Sequence, residues 1–266
     1  MPKICIALLV LLLTACSRGD GERLVITGSS TVAPLVNEMA RRYAALQPGL
    51  RIEVQTGGSS RGISDARSGL ADIGMVSRAL RDDETDLLAT PIARDGIALI
   101  VHADNPVAAL SADEVRAIFT GQVNDWSAVG GAPGPITVIN KAEGRSTLEL
   151  FLAHFALDNP AIQADVVIGD NEQGIKTLVS DINAIAYVSI GSAEFAERRG
   201  EPLRRLPMGG VTAGIAQLRD GSFPLSRTLN LVTRADATVA VTAFLDYARS
   251  PAVHDLIEQQ AFVPLP

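Results

Sequence analysis

Three short segments of the chain gather glycine and small hydroxyl residues: Gly28-Ser29-Ser30-Thr31, Gly57-Gly58-Ser59-Ser60-Arg61-Gly62 and Lys141-Ala142-Glu143-Gly144-Arg145-Ser146-Thr147. Each follows an apolar, strand-like run and precedes a helical one. Such a turn presents free backbone N–H groups at a helix N-terminus, where the macrodipole and the hydroxyls together favour an anion. Glycine lets the backbone approach a ligand, and Ser or Thr adds a donor that can equally cap the helix. Taken singly, each turn reads as a plain N-cap. Together, at the carboxyl ends of parallel strands, they converge where open α/β sheets bind ligands. Lysine occurs only at Lys3, Lys141 and Lys176, and one of these lies inside the third turn with Arg145 four residues on.

The elements that must hold these turns follow from periodicity. Leu24 to Thr27 reads as a buried strand, and Val32, Leu35, Val36, Met39, Ala40, Tyr43 and Leu46 fall at helical spacing, with Pro34 tolerable in the first turn. Strands follow at Arg51 to Thr56 and Ala71 to Met75, with a short helix over Ser60 to Ser68 between them. This strand-helix-strand interval predicts a parallel sheet with right-handed crossovers. Further strands are predicted at Gly96 to Val101, Thr137 to Asn140, Ala184 to Val188 and Leu225 to Thr233. Ser111 and Glu114 form a capping box for a helix ending near Gly121, and helices are predicted over Ser146 to Phe155, Asp236 to Arg249 and Val253 to Gln260. A sheet left near Val101 and rejoined near Leu225 predicts an α/β chain of two mainly parallel lobes joined by two crossing strands: residues 24–101 with 225–266, and residues 102–224.

Composition removes other classes. With 266 residues, 4% aromatic and a net charge of −7, the chain lacks the cationic surface and stacking platforms of nucleic-acid binders. His102, His154 and His254 are isolated from one another, so no metal or cofactor is expected. Both cysteines, Cys5 and Cys16, fall in an N-terminal segment in which Lys3 precedes the apolar run Ile4 to Leu13 and small residues lead into Cys16. That run is too short for the roughly twenty residues of a spanning helix. Residues 1–15 are read as a lipoprotein signal, Cys16 as the lipidated residue and 16–23 as a tether. The mature chain, without Lys3, would carry −8.

The strings GSSTVAP (Gly28 to Pro34), TGGSSRGI (Thr56 to Ile63), ADIGMVSR (Ala71 to Arg78), NKAEGRSTLELF (Asn140 to Phe151) and FPLSRTLNLVT (Phe223 to Thr233) resemble, in order and spacing, the substrate-binding subunit of Pst-type phosphate ABC importers. The resemblance implies a type II periplasmic-binding-protein fold that holds a phosphate ion between its lobes and delivers it to an ABC permease with its ATPase. It further implies a monomer on the periplasmic or cell-surface side, held to the membrane by its lipid. It assigns ligand contacts to Ser30, Thr31, Ser59, Ser77, Arg78, Lys141, Arg145, Ser146 and Thr147, with Glu143 in support. Lys141 stands where the family usually has Arg, and Arg145, Ser146 and Thr147 where it usually reads Ser-Gly-Thr. Ser77 stands where better-known members have an Asp that accepts a proton from phosphate, which leaves Glu143 as the expected anionic acceptor. The acidic net charge does not oppose anion binding, because local dipoles act at contact while the overall field is screened over about 8 Å.

Two alternatives remain open on sequence. The same architecture serves other oxyanions such as sulfate or molybdate. An enzyme is the other: Gly58-Ser59-Ser60-Arg61-Gly62 matches the G-x-S-x-G elbow of serine hydrolases, with Ser60 as nucleophile and Asp255 or His254 as partners. Only one strand-helix unit precedes that motif, and no HGG-type oxyanion loop accompanies it, so a binding protein is the stronger expectation.

Overall fold

The computed structural model describes residues 22–265; the leader, Cys16 and most of the tether lie outside the described residues. The chain opens as expected, with β1 (Arg23–Gly28), α1 (Ala33–Leu46), β2 (Arg51–Thr56), α2 (Ser59–Ser68) and β3 (Ile73–Val76). α1 has no side-chain cap, carries Pro34 in its first turn and buries Leu35, Val36, Met39 and Tyr43. β1 pairs in parallel with both β2 and β3, so the turns after all three strands open on one edge.

Strand β4 (Leu87–His102) is 16 residues long, far beyond the predicted Gly96 to Val101. Its first half escapes the apolar reading because Thr90, Pro91, Arg94 and Asp95 interrupt the pattern; Pro91 sits at a register irregularity, where the missing N–H does least harm. Beyond it come α3 (Ala112–Phe119), with its Ser111–Glu114 capping box formed, β5 (Thr137–Lys141), α4 (Ser146–Phe155), β6 (Val166–Ile168), α5 (Asn171–Val179), β7 (Ala184–Ser189), α6 (Ile190–Arg198), β8 (Leu203–Arg205) and α7 (Ile215–Arg219). The chain returns through β9 (Ser226–Arg234) to α8 (Val239–Ala248), α9 (His254–Gln259) and the short β10 (Val263–Pro264).

The sheet runs β2-β1-β3-β9-β4-β7-β5-β6, with β8 and β10 also on β4. The outer pairs are parallel, but β9 is antiparallel to β3 and β4, and β4 is antiparallel to β7, so the sheet as a whole is mixed. Two large buried cores lie on it, besides a small cluster of Ile63, Ala66, Val76, Leu87 and Val232 under α2. One gathers Leu35, Met39, Ile73, Ile92, Ala93, Leu229 and Phe244, the other Ile97 to Val101, Phe119, Trp126, Phe151 and Tyr187. Ile97 to Val101, expected in the first lobe, pack in the second core together with Leu225 and Val263, so along β4 one core gives way to the other between Ala93 and Ile97.

The first turn of α2 is pressed against the sheet by absent side chains. A Cβ on Gly62 would stand 2.8 Å from the Met75 carbonyl oxygen and 3.0 Å from the Gly28 Cα; one on Gly74 would stand 2.4 Å from the Gly62 carbonyl oxygen. This approach brings the N-terminus of α2 to the ends of β1 and β3. Gly62→Ala should destabilise the protein by about 1–3 kcal/mol, as overpacking does, and urea denaturation will show a lower midpoint.

Candidate functional site

At the division between the cores, β9 sets Arg227 directly opposite Asp95 of β4. Both side chains are essentially unexposed, at 1% and 0%. Arg227 Nε and Nη2 donate to Asp95 Oδ2 at 3.0 and 2.8 Å. The same guanidinium then reaches outward, with Nη1 donating to Thr147 Oγ1 at 3.0 Å and to Ser77 Oγ at 3.4 Å, and Nη2 to Thr31 Oγ1 at 3.3 Å. One cation thus touches hydroxyls from the first lobe and the second. The other Asp95 oxygen accepts from Ser189 Oγ at 2.9 Å and Gly191 N at 3.3 Å, so all of this carboxylate's acceptor capacity is committed.

The first lobe contributes a chain of hydroxyls. Ser29 Oγ donates to Ser77 Oγ at 3.0 Å, Ser59 Oγ lies 3.5 Å from Ser77 Oγ, and Ser77 N donates to Ser59 Oγ at 3.1 Å. All three serines are buried, as is Thr31, whose N–H donates to Ser29 Oγ. From the second lobe Lys141 Nζ donates to Asn171 Oδ1 at 2.9 Å, and Asn171 Nδ2 donates to Thr31 Oγ1 at 3.2 Å and Ser192 Oγ at 3.1 Å. The third turn is fixed from below by Tyr187, whose hydroxyl accepts from Lys141 N at 3.4 Å and donates to Asn140, and whose ring stacks on Phe151 at 3.9 Å. Burial raises the Tyr187 hydroxyl pKa, keeping it a proton donor. Burial pushes the Lys141 ammonium down from 10.5 to about 7, aided by the Arg227 and Arg145 charges and opposed by Asp170.

Of the residues expected from sequence, Thr31, Ser59, Ser77, Lys141 and Thr147 meet in this cluster. Ser146 is buried in the first turn of α4, and its Oγ, like the Arg145 Nε, has no partner among the described residues. Ser30 is half-buried, and it is Ser29 that turns inward. Arg78 is a correction: it is buried, but its Nη1 and Nη2 donate to Glu84 at 2.7 and 2.8 Å, away from the hydroxyls. Glu143 is another: it is exposed and accepts from Asn159 at 3.0 Å, so it is no acceptor for a ligand in the cleft. Ser60 Oγ donates to Glu149 at 3.4 Å and meets no histidine among the described residues. Asp95, Asn171 and Arg227 escaped the sequence reading. Arg227 lies inside a string that carries the family resemblance, while Asn171 opens a helix after an apolar run of only three residues, Val166 to Ile168.

A family model described as PBP superfamily domain matches residues 15–252. The chain belongs to the PBP superfamily. Within it, the phosphate-binding protein PstS of Bacillus subtilis is 29% identical over 248 residues, spanning 91% of this chain and 80% of its own length. The phosphate-bound crystal structure of a Clostridium perfringens protein assigned as a phosphate ABC transporter substrate-binding protein is similar, with a TM-score of 0.85 at 26% identity, covering 92% of this chain and all of that one. An ABC-type phosphate transport receptor from Vibrio cholerae follows at 0.74 and 25%, covering 91% of this chain. The fold is the α/β architecture of type II periplasmic binding proteins, as expected.

In this PBP-superfamily chain the lowered Lys141 pKa has a thermodynamic signature. Between about 7 and 10.5 the unfolded chain holds a proton on Lys141 that the folded protein does not, so unfolding free energy should rise with pH across that window. Lys141→Met should flatten the rise, and chemical denaturation of both proteins from about pH 7 to about pH 9, without multivalent anions, measures it.

Proposed function

We propose that the protein binds inorganic phosphate between its lobes outside the cytoplasm and passes it to an ABC import permease. The observation that carries this reading is the meeting, on one buried guanidinium, of hydroxyls from the two lobes, Thr31 and Ser77 on one side and Thr147 on the other. Arg227, Lys141 and Arg145 supply positive charge, and the first turns of α2 and α4 supply N–H groups that the helix ladder cannot use. Such a set suits a small multivalent oxyanion and offers no nucleophile-base pair, which agrees with relatives named as binding proteins. Phosphate presents four oxygens to donors arriving from opposite sides, and its negative charge favours the protonated form of Lys141.

The lipid anchor belongs to the same proposal. The signal at 1–15 and the thiol of Cys16 fit a chain tethered by acyl groups, acting as a monomer that presents phosphate to a membrane-embedded partner. No helix among the described residues is long and apolar enough to cross a membrane. Intact-mass analysis of the native protein should show a diacylglyceryl mass on Cys16, and Cys16→Ala should release the protein from the membrane or block its processing. An unmodified thiol on mature protein would remove the anchor.

Selectivity follows from the acceptors. Asp95 is saturated and Glu143 points away, so hydroxyls are the neutral acceptors that the cluster offers to a protonated ligand oxygen. A hydroxyl accepts that proton without repelling a fully ionised anion. Titration calorimetry against phosphate, sulfate and molybdate should therefore give phosphate the tightest binding, with sulfate a measurable competitor. Lys141→Met should weaken phosphate by about 1.5–3 kcal/mol, roughly ten- to 150-fold, as expected for a hydrogen bond to a charged group. Undetectable phosphate binding would overturn the proposal; complete rejection of sulfate would overturn the selectivity argument.

A further inference from the structure

Glu149 lies on α4, two residues beyond Thr147 and therefore about 200° around the helix, so one turn offers a hydroxyl to the cluster and a carboxylate to the rim of the cleft. The polar contacts of that carboxylate among the described residues come from the first lobe. Arg78 Nε stands 2.9 Å and Arg81 Nη2 2.7 Å from its Oε2, ion pairs by distance and outside hydrogen-bond geometry, and Ser60 Oγ donates to Oε1 at 3.4 Å. Next to it the backbones of the lobes touch: Ser60 N donates to the Gly144 carbonyl oxygen at 3.3 Å, and a Cβ on Gly58 would stand 2.6 Å from that same oxygen. One edge of the cleft is therefore closed by main chain and by a single carboxylate that gathers two guanidinium groups.

An exposed ion pair would contribute little, because water screens it. This one is different: the Arg78 side chain is 6% exposed and the Glu149 side chain 24%. Arg78 is also independent of Glu149 for its place in the fold, since its Nη1 and Nη2 are held by Glu84. Loss of the Glu149 charge would leave Arg78 paired and buried as before, and would remove only the contact across the cleft.

We propose that Glu149 is a positioning residue that latches the two lobes at the rim and slows release of the bound anion without touching it. The inference rests on the phosphate reading for its ligand and on geometry alone for the latch. The main test is the dissociation rate of radiolabelled phosphate chased with excess unlabelled phosphate. Glu149→Gln should accelerate dissociation about tenfold, while the association rate changes by less than about twofold, because the latch forms after encounter.

A second arm needs no ligand. An ideal Cβ on Gly144 would lie 3.5 Å from the Ser60 Cβ, a separation that a disulfide accepts; the left-handed φ of 75° strains a cysteine at Gly144, a cost common to both cross-linking proteins, and the described residues contain no cysteine. Ser60→Cys with Gly144→Cys should cross-link in oxidised glutathione, and adding Glu149→Gln should slow that cross-linking in the absence of phosphate. Equal dissociation rates with and without Glu149→Gln would overturn the latch, as would a loss of association rate and thermal stability in place of faster release. If the parent protein binds no phosphate, the function assigned above fails, and equal cross-linking rates would then overturn the latch separately.

Discussion

The buried pair of Arg227 and Asp95 is the constraint around which the rest of the structure is arranged. A guanidinium and a carboxylate removed from water recover their solvation only when hydrogen bonds surround them, and here every acceptor site of Asp95 is filled. The pair sits on facing residues of the two crossing strands, so its geometry is fixed by the backbone ladder rather than by flexible side chains. Its remaining N–H groups then act as a rigid gauge, against which the hydroxyls of Thr31, Ser77 and Thr147 are positioned. A cation partly neutralised by Asp95 also adds less net positive charge to the cleft than a lone guanidinium would.

Lys141 occupies the opposite electrostatic extreme. It has no carboxylate at hydrogen-bonding distance among the described residues; an amide, Asn171, is its partner, and burial disfavours its charge. The two basic side chains therefore differ in kind: one is a guanidinium compensated by a carboxylate, the other an amine whose charge burial disfavours. Aromatic stacking of Tyr187 on Phe151 underpins the second, because the tyrosine hydroxyl holds the backbone at Lys141. Core packing of the second lobe and donor placement at the cleft are in this way one structure.

Much of this was legible in the sequence, and the exceptions have physical causes. Glycine and hydroxyl residues at strand-to-helix turns advertise themselves, which is why Thr31, Ser59 and Thr147 could be placed in advance. Arg78 was misassigned because adjacency to Ser77 says nothing about direction: successive side chains leaving a strand point to opposite faces, and Arg78 found Glu84. Glu143 misled for a related reason, since the left-handed turn at Gly144 rotates it toward Asn159 and solvent. Asp95 and Arg227 are separated by 132 residues and are joined only by strand register, a relation that no local pattern encodes. The first half of β4 was hidden too: Leu88, Ala89 and Pro91 are exposed and Thr90 and Arg94 half-buried, so it has no continuous apolar run and is a strand through its register with β9.

Strand β4 also determines how the molecule can deform. It pairs with β9 as far as Gly96 and with β7 from Ile97 onward, so its partner changes between consecutive residues of an unbroken strand. The lobes are consequently two regions of one continuous sheet, not two bodies on a slack tether. Any rotation of one against the other has to be taken up as extra twist over the few peptide units around Asp95 and Gly96, with the neighbouring ladder bonds resisting it. The backbone there behaves as a torsion spring, and its stiffness limits the angle through which the cleft can gape.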